Sequence, residues 1–153
     1  MKLLSLIVAC ACVGIIFTGC SMTDDRAAAT QIGAAFYESV KADDINSILT
    51  FLSPEFFGET SENDMRLLLP TLKETFGAIE SYDLIGWHVN KRFGTDSLSG
   101  TLVTLQYKVT YSKTPSNEML LLYKPSGSEE FKIISYNFNI EPPEHSASID
   151  TLF

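Results

Sequence analysis

The segment from 101 to 111, TLVTLQYKVTY, alternates between two kinds of residue with a period of two. Successive side chains of a β-strand point to opposite faces of the sheet, so this alternation predicts an antiparallel strand with one buried face. The other face carries polar side chains and a single leucine, and we expect it to be more exposed. The positions predicted to face the core are Thr101, Val103, Leu105, Tyr107, Val109 and Tyr111.

Three more segments have a strand pattern. Residues 81–93 (SYDLIGWHVNKRF) precede the clearest strand, and residues 118–124 (EMLLLYK) and 131–140 (FKIISYNFNI) follow it. The segment 118–124 is apolar on both faces, which favours a central place in the sheet. In 131–140 the alternation slips at Ile133 and Ile134, which predicts a β-bulge. The segments KTPSN and KPSGSEE between the strands are typical of turns.

The part of the chain before the strands has helical periodicity. Apolar residues three and four positions apart predict a helix from Arg26 to Val40 and a short second helix within 45–52. Asp43 is placed to cap the second helix. Residues 21–26 are polar, and we expect them to be an extended tether.

A third helix is expected within 61–77. Ser61 or Asn63 can cap its beginning, and Gly77 is suited to its end. Pro70 lies inside this stretch, which predicts either a kink or two short helices.

Helices followed by a meander of strands predict an α+β fold, with the N-terminal helices on one face of a curved antiparallel sheet of about four strands. The segments that carry this pattern are AAFYESVKADDINSILTFLSPEFF, FGAIESYDLIGWHV, GTLVTLQYKVTY and FKIISYNFNI. Their order within 27–140 resembles the cystatin-like and nuclear transport factor 2-like superfamily, and more narrowly small bacterial domains of unknown function within it. The resemblance implies a cone with a hollow. That superfamily includes isomerases, dehydratases, transport factors and proteins that only bind, so the fold alone does not give the function.

We expect the core between helices and sheet to contain Phe36, Trp87, Leu105, Tyr107 and Val109. The hollow is predicted to be lined by aromatic side chains with one valine. These residues are Trp87, Tyr107, Val109, Tyr111 and Tyr136.

The first twenty residues predict where in the cell the protein is located. Lys2 is followed by an apolar stretch at 3–17, which is short for a membrane span and has the length of a signal peptide. The segment FTGC, which ends at Gly19 and Cys20, resembles the lipobox of bacterial lipoproteins. The resemblance implies cleavage between these two residues by signal peptidase II. Cys20 would then carry an S-diacylglycerol and an N-palmitoyl group.

Two other interpretations of the leader remain open. It could be an ordinary secretory leader cut near the small residues at 27–29, or an uncleaved anchor. Enterobacterial lipoproteins with Asp after the cysteine stay at the inner membrane, whereas this chain has Ser21. In a cell with two membranes, the resemblance therefore implies the outer membrane, facing the periplasm.

The expected organisation has four parts. A signal peptide (1–19) precedes the lipidated tether (20–26), the cone domain (27–140) and a flexible C-terminal tail (141–153). The three cysteines are Cys10, Cys12 and Cys20, so cleavage would leave no free thiol and no disulfide in the domain.

Composition and motifs narrow the function classes. The formal net charge of −8 disfavours nucleic acid as a partner. No nucleophile-elbow, phosphate-loop, dinucleotide or zinc-ligand spacing occurs, and we expect neither a metal nor a cofactor. The polar groups that could work in the hollow are His88, Asp83, Tyr107, Tyr111 and Tyr136. Strict alternation would place Asp83 in the phase of Trp87 and His88 in the opposite one.

The sequence therefore predicts a lipid-anchored protein of the cell envelope that is not an enzyme. Its domain is expected to bind a ligand or a partner, either an envelope protein or an apolar small molecule. Two alternatives remain. One is an isomerase- or dehydratase-like enzyme that uses the hollow, and the other is an inhibitor or immunity lipoprotein.

Overall fold

The structure is a computed structural model that describes residues 21–58, 61–93 and 99–140. The predicted cleavage and lipidation residues, Gly19 and Cys20, lie outside the described residues, as does the predicted tail. The elements, in chain order, are α1 (Ser21–Lys41), α2 (Ile45–Phe51), a 3₁₀ turn (Phe56–Gly58), α3 (Glu62–Phe76), β1 (Ile79–Arg92), β2 (Gly100–Tyr111), β3 (Pro115–Pro125) and β4 (Lys132–Ile140).

The four strands form one antiparallel sheet in the order β1-β2-β3-β4. The sheet is curved and does not close, and the three helices pack with it. The predicted α+β architecture is therefore confirmed. β3 lies between β2 and β4, which confirms its predicted central place.

The alternation in β2 is confirmed residue by residue. Its odd-numbered positions from Thr101 to Tyr111 are buried, whereas Gln106 and Lys108 are exposed. The side chains at the centre of the core, on the buried face of the sheet, are fully buried. Its largest side chains come from α1, α2, α3 and the strands: Phe36, Tyr37, Ile48, Met65, Leu105, Tyr107, Leu120, Leu122 and Ile133.

α1 approaches the sheet closely at Gly33. A methyl group on this residue would overlap the hydroxyl of Tyr107 and press on Leu105. Glycine is therefore required here by the spacing between helix and sheet rather than by the backbone conformation. The Tyr107 hydroxyl itself is buried without a hydrogen-bond partner.

The predicted tether at 21–26 is wrong, because α1 already begins at Ser21. The reason is the burial of Asp25, which is 5% exposed and pairs with Lys91 at 3.0 Å and Lys124 at 2.5 Å. Burial by itself raises the pKa of the Asp25 carboxyl, but hydrogen bonds from the two lysines outweigh it and hold that pKa below its usual value. The polar segment 21–26 is thus part of the domain.

The ends of α2 and α3 follow the local sequence with one difference, at the cap of α2. Ser61 caps α3 and forms a capping box with Asp64, as one of the two predicted caps. Gly77 ends α3 with φ +89°, a conformation that glycine adopts without strain. α2 is capped by Asp44 rather than by Asp43, which instead takes a positive φ of 55° in the turn before it.

α3 continues through Pro70 as one helix, so the prediction of two short helices is wrong. Proline lacks the N–H that would bond one turn back, and here it lies on the exposed side of α3. Met65 and Leu72, one on each side of Pro70, are buried and keep both halves of the helix against the domain.

β1 contains a bulge that the sequence pattern did not predict. The register shifts between Leu84, which pairs with Tyr107, and Gly86, which pairs with Gln106, so Ile85 is extra. A bulge changes the phase of the strand. Asp83 pairs with Lys108 on the exposed face, and the prediction that it shares the phase of Trp87 is wrong.

Trp87 was predicted to be a core residue, and this is wrong. It pairs with Leu105 and so lies on the helix-facing side, but it is 48% exposed because β1 is the edge strand. The guanidinium carbon of Arg26 lies 4.4 Å from its ring centroid. This cation–π contact covers part of the Trp87 ring, which core side chains do not cover.

The predicted bulge in β4 is confirmed. Leu121 pairs with Ser135 and Leu122 pairs with Ile133, which leaves Ile134 as the extra residue. Ile133 is fully buried. Among the described residues, no helix combines the length and the apolarity that crossing a bilayer requires.

The phase of β2 gives a stability prediction. Leu105→Ala should lower the free energy of unfolding by about 2–5 kcal/mol, because it leaves a cavity at a fully buried position. Gln106→Ala, one residue along and exposed, should cost less than about 0.5 kcal/mol. Urea denaturation of the two variants measures both values. Equal losses would contradict the burial described here.

Candidate functional site

A cavity of about 320 Å³ lies where the C-terminal end of α1, α2, α3 and one end of the sheet meet. This volume is at the lower end of the range for small-molecule sites, roughly 300–1,000 Å³. The described lining residues are Val40, Lys41, Asp43, Ile45, Ile48, Arg66, Leu69, Pro70, Leu72, Lys73, Gly77, Ala78, Ile79, Tyr111 and Tyr136. This cavity shares Tyr111 and Tyr136 with the hollow predicted from the sequence, but its other described lining residues come mainly from the helices.

Two tyrosines of the cavity wall are tied to a buried carboxylate, Glu118. The hydroxyl of Tyr111 donates to Glu118 Oε1 at 2.7 Å, and the hydroxyl of Tyr136 donates to Oε2 at 2.8 Å. Tyr37, on α1, donates to Oε2 at 2.9 Å. Glu118 is 3% exposed. One carboxylate thus accepts three phenolic hydrogen bonds below the cavity.

The strand pattern explains why these groups meet. Glu118 has the same phase as Leu120 and Leu122 in β3, so it points to the helix-covered face. Tyr136 pairs with Leu120 in the neighbouring strand, which places its ring beside that row. Tyr37 follows Gly33 by one helical turn, so it lies on the face of α1 that approaches the sheet.

The cluster raises the pKa values of its phenols. Burial is the largest cause at Tyr37, Tyr111 and Tyr136, and the negative charge of Glu118 is the second. Both effects disfavour a phenolate. Outside the cluster, burial raises the pKa of Tyr107 to about 12, and burial with a hydrogen bond to Glu38 raises the pKa of Tyr82 to about 12.

Charged side chains also line the cavity. Lys41, Arg66 and Lys73 are cationic, and Asp43 is the only anionic residue among the described lining residues. Lys73 forms an ion pair with Asp43. Arg66 pairs with Glu62 at 2.8 Å, on the exposed side of α3. Positive side chains therefore outnumber negative ones in the described lining, and most of the remaining lining is apolar.

The residues that the sequence analysis assigned to the hollow are divided by the structure. Tyr111 and Tyr136 line the cavity. Tyr107 and Val109 are buried in the core between α1 and the sheet, and neither belongs to the cavity lining. Trp87 lies at the exposed edge strand, under Arg26.

The two non-aromatic candidates for chemistry lie away from the cavity. His88 pairs with Thr104 and Asp83 pairs with Lys108, both on the face opposite to the buried side chains of β2. Neither can meet a ligand held beside Tyr111 and Tyr136. The buried carboxylate that does lie there, Glu118, was not among the candidates.

The sequence carries a signal for Glu118 that alternation makes visible. In the segment SNEMLLLY, Glu118 has the same phase as Leu120 and Leu122, and both leucines are fully buried in the structure. A charged residue in a buried phase is rare unless it is paired or hydrogen-bonded. Tyr111 lies seven residues away, across the hairpin, whereas Tyr136 and Tyr37 lie 18 and 81 residues away, too far for a local pattern to name them.

The described residues contain no group of three His, Cys, Asp or Glu side chains that could hold a metal ion. The sequence matches no protein-family model and no curated protein.

The raised phenol pKa values predict a loss of stability in alkali. A phenol with a raised pKa in the folded state stabilises the fold fully below the unfolded pKa, about 10, and loses this contribution as the pH rises through the folded value. We expect tyrosinate absorbance to appear together with unfolding, well above pH ~10. The same titration in guanidinium chloride, where every phenol is free, is the control. Smooth ionisation near pH 10 with an unchanged circular dichroism spectrum would contradict the burial of the cluster.

Proposed function

We propose that this chain is a lipid-anchored protein of the cell envelope whose domain binds a small molecule without transforming it. The observation that carries the binding role is the cavity of about 320 Å³, which is lined by aliphatic side chains, by a few charged ones and by two tyrosines whose hydroxyls are bound to Glu118. Sites for small molecules combine a concave apolar wall with a few fixed polar groups. The cavity has both.

The anchor is supported by the leader alone. The sequence FTGC after an apolar stretch of signal-peptide length resembles a lipobox and so supports lipidation of Cys20, and Ser21 after it favours the outer membrane where a cell has two. Several acyl chains hold a protein on a membrane where a single chain does not. The domain would then act next to the envelope membrane.

The lining favours an apolar ligand that carries one anionic group. Aliphatic side chains, among them Val40, Ile48 and Leu69, offer apolar contact. Of the cationic residues Lys41, Arg66 and Lys73, the second pairs with Glu62 and the third with Asp43, so three positive charges face two carboxylates and one positive charge is in excess. The chemical class is therefore a small amphiphile, such as a fatty carboxylate.

The polar groups at the cavity favour binding over catalysis. Both oxygens of Glu118 already accept phenolic hydrogen bonds, so removing a substrate proton would cost those bonds. The raised pKa values of Tyr111 and Tyr136 make them poor acids at neutral pH. An isomerase- or dehydratase-like enzyme would need a freer base beside the ligand.

The anchor gives a prediction about Cys20. Cys20→Ala should accumulate as an unprocessed precursor without lipid, because the thiol is the acylation site and modification precedes cleavage in lipoproteins. Intact-mass measurement of the membrane fraction distinguishes the two forms. A normally processed variant, or a wild-type protein without lipid, would contradict the anchor.

The cavity gives a prediction about ligands. In calorimetry with decanoate, decanol and decylammonium, the probes share an apolar chain and differ in the charge of the headgroup. We expect decanoate to bind most tightly, because positive side chains outnumber negative ones in the described lining. Leu69→Trp should fill the cavity and weaken decanoate binding at least tenfold, about 1.4 kcal/mol.

The matched control is Leu67→Trp. It makes the same change two residues away on α3, at a side chain that is 69% exposed and outside the lining, and should leave binding unchanged. Val109→Trp is unsuitable as a blocking variant, since Val109 is fully buried and a larger residue would unfold the core. Tightest binding of decylammonium, or equal loss in both Trp variants, would contradict the proposed ligand class.

A further inference from the structure

α1 begins at Ser21, the residue directly after the proposed lipid site Cys20. No flexible spacer therefore separates the lipid from the folded domain. Asp25, one turn into α1, is buried and pairs with Lys91 and Lys124. These contacts fix the first turns of the helix to the sheet, so an attached lipid holds the whole domain by this end.

The elements that meet at this end can be named from the same ion pairs. Lys91 is near the C-terminal end of β1 and Lys124 is near the C-terminal end of β3. Phe93 directly follows β1 and is 89% exposed. Met22, in the first turn of α1, is 55% exposed. Two large apolar side chains thus lie in solvent at the end of the domain where the lipid would be attached.

Basic residues accompany these apolar side chains. Arg92 is exposed beside Phe93. Arg26 is exposed one turn after Met22, with its guanidinium over the ring of Trp87, and the exposed Asp24 lies between the two in the first turn of α1. The chain as a whole has a formal net charge of −8, so cations beside exposed apolar groups run against its general composition. Apolar side chains flanked by Arg are typical of surfaces that rest on a bilayer with anionic lipids.

We propose that this end, formed by Met22, Arg26, Arg92 and Phe93 and called the lipid-proximal end, docks on the bilayer that holds the acyl chains. The inference rests on the proposed anchoring of Cys20. Phe93 and Met22 enter the headgroup region, and Arg92 contacts lipid phosphates, while the guanidinium of Arg26 stays over the ring of Trp87. The occupant of this surface is the membrane itself.

The proposal also sets the orientation of the cavity. Val40 and Lys41, at the C-terminal end of α1, line the cavity. At 1.5 Å per residue, Val40 lies about 28 Å along α1 from Ser21. With the N-terminal end of α1 and the C-terminal ends of β1 and β3 on the bilayer, the cavity is held away from the bilayer. The ligand therefore enters from the aqueous side rather than from the lipid.

Quenching by brominated lipids tests this orientation. The acylated protein, with Trp87→Phe to remove its single tryptophan, receives one reporter at a time: Phe93→Trp, or Leu67→Trp beside the cavity residue Arg66. Each is inserted into phosphatidylcholine–phosphatidylglycerol vesicles with and without brominated chains. We expect the Phe93→Trp emission to fall by about half or more, as for a ring in the headgroup–acyl boundary, and the Leu67→Trp emission to stay unchanged.

Met22→Trp is the second reporter at the lipid-proximal end and should also be quenched, which covers failure of one variant to fold. Equal quenching at Leu67, or stronger quenching there, would overturn the orientation. If both end reporters stay unquenched while intact mass shows lipid on Cys20 and the protein floats with the vesicles, the docking proposal fails and the anchor stands. A protein that carries no lipid overturns the anchor, and this proposal with it.

Discussion

The carboxylate of Glu118 is the buried group on which the packing of helix against sheet depends. It accepts hydrogen bonds from Tyr37 on α1, Tyr111 on β2 and Tyr136 on β4. Burying a carboxylate is costly unless hydrogen bonds replace the lost water, and bonds to a charged group are stronger than neutral ones. The same three bonds that meet this cost join four elements. Tyr111 and Tyr136 also line the cavity, so the hydrogen bonds that hold these two residues also fix the cavity wall.

A second buried carboxylate, Asp25, holds the other end of α1. Its ion pairs with Lys91 and Lys124 reach β1 and β3, whereas Tyr37 reaches Glu118 three turns further along the helix. Two points fix the direction of a rod, so the orientation of α1 on the sheet is set. The close approach at Gly33 lies between these points. Ser21, the first residue of α1, therefore lies at one end of the domain, and the cavity lies at the other.

The sequence predicts the sheet well where burial alone decides the phase. β2 has a buried and a more exposed face, and its alternation reports this directly. In β1 the extra residue, Ile85, reverses the phase, so the placement of Asp83 was predicted wrongly. The burial of Trp87 was predicted wrongly because β1 is an edge strand. The start of α1 was missed for another reason. Asp25 is an ordinary surface residue by local composition, and its lysine partners lie more than sixty residues away.

The cavity shows the same division between local and distant information. Tyr111 and Tyr136 were predicted to line it, because inward-facing aromatic residues are visible in the strand pattern. The contribution of α2 and α3 depends on how short helices close over the sheet, which no periodicity encodes. Glu118 lies between these cases. Its phase was readable, and only the assumption that a glutamate lies on the surface hid it. A charged residue in the buried phase of a central strand should therefore be treated as a predicted hydrogen-bond acceptor, since burial requires that it have donors.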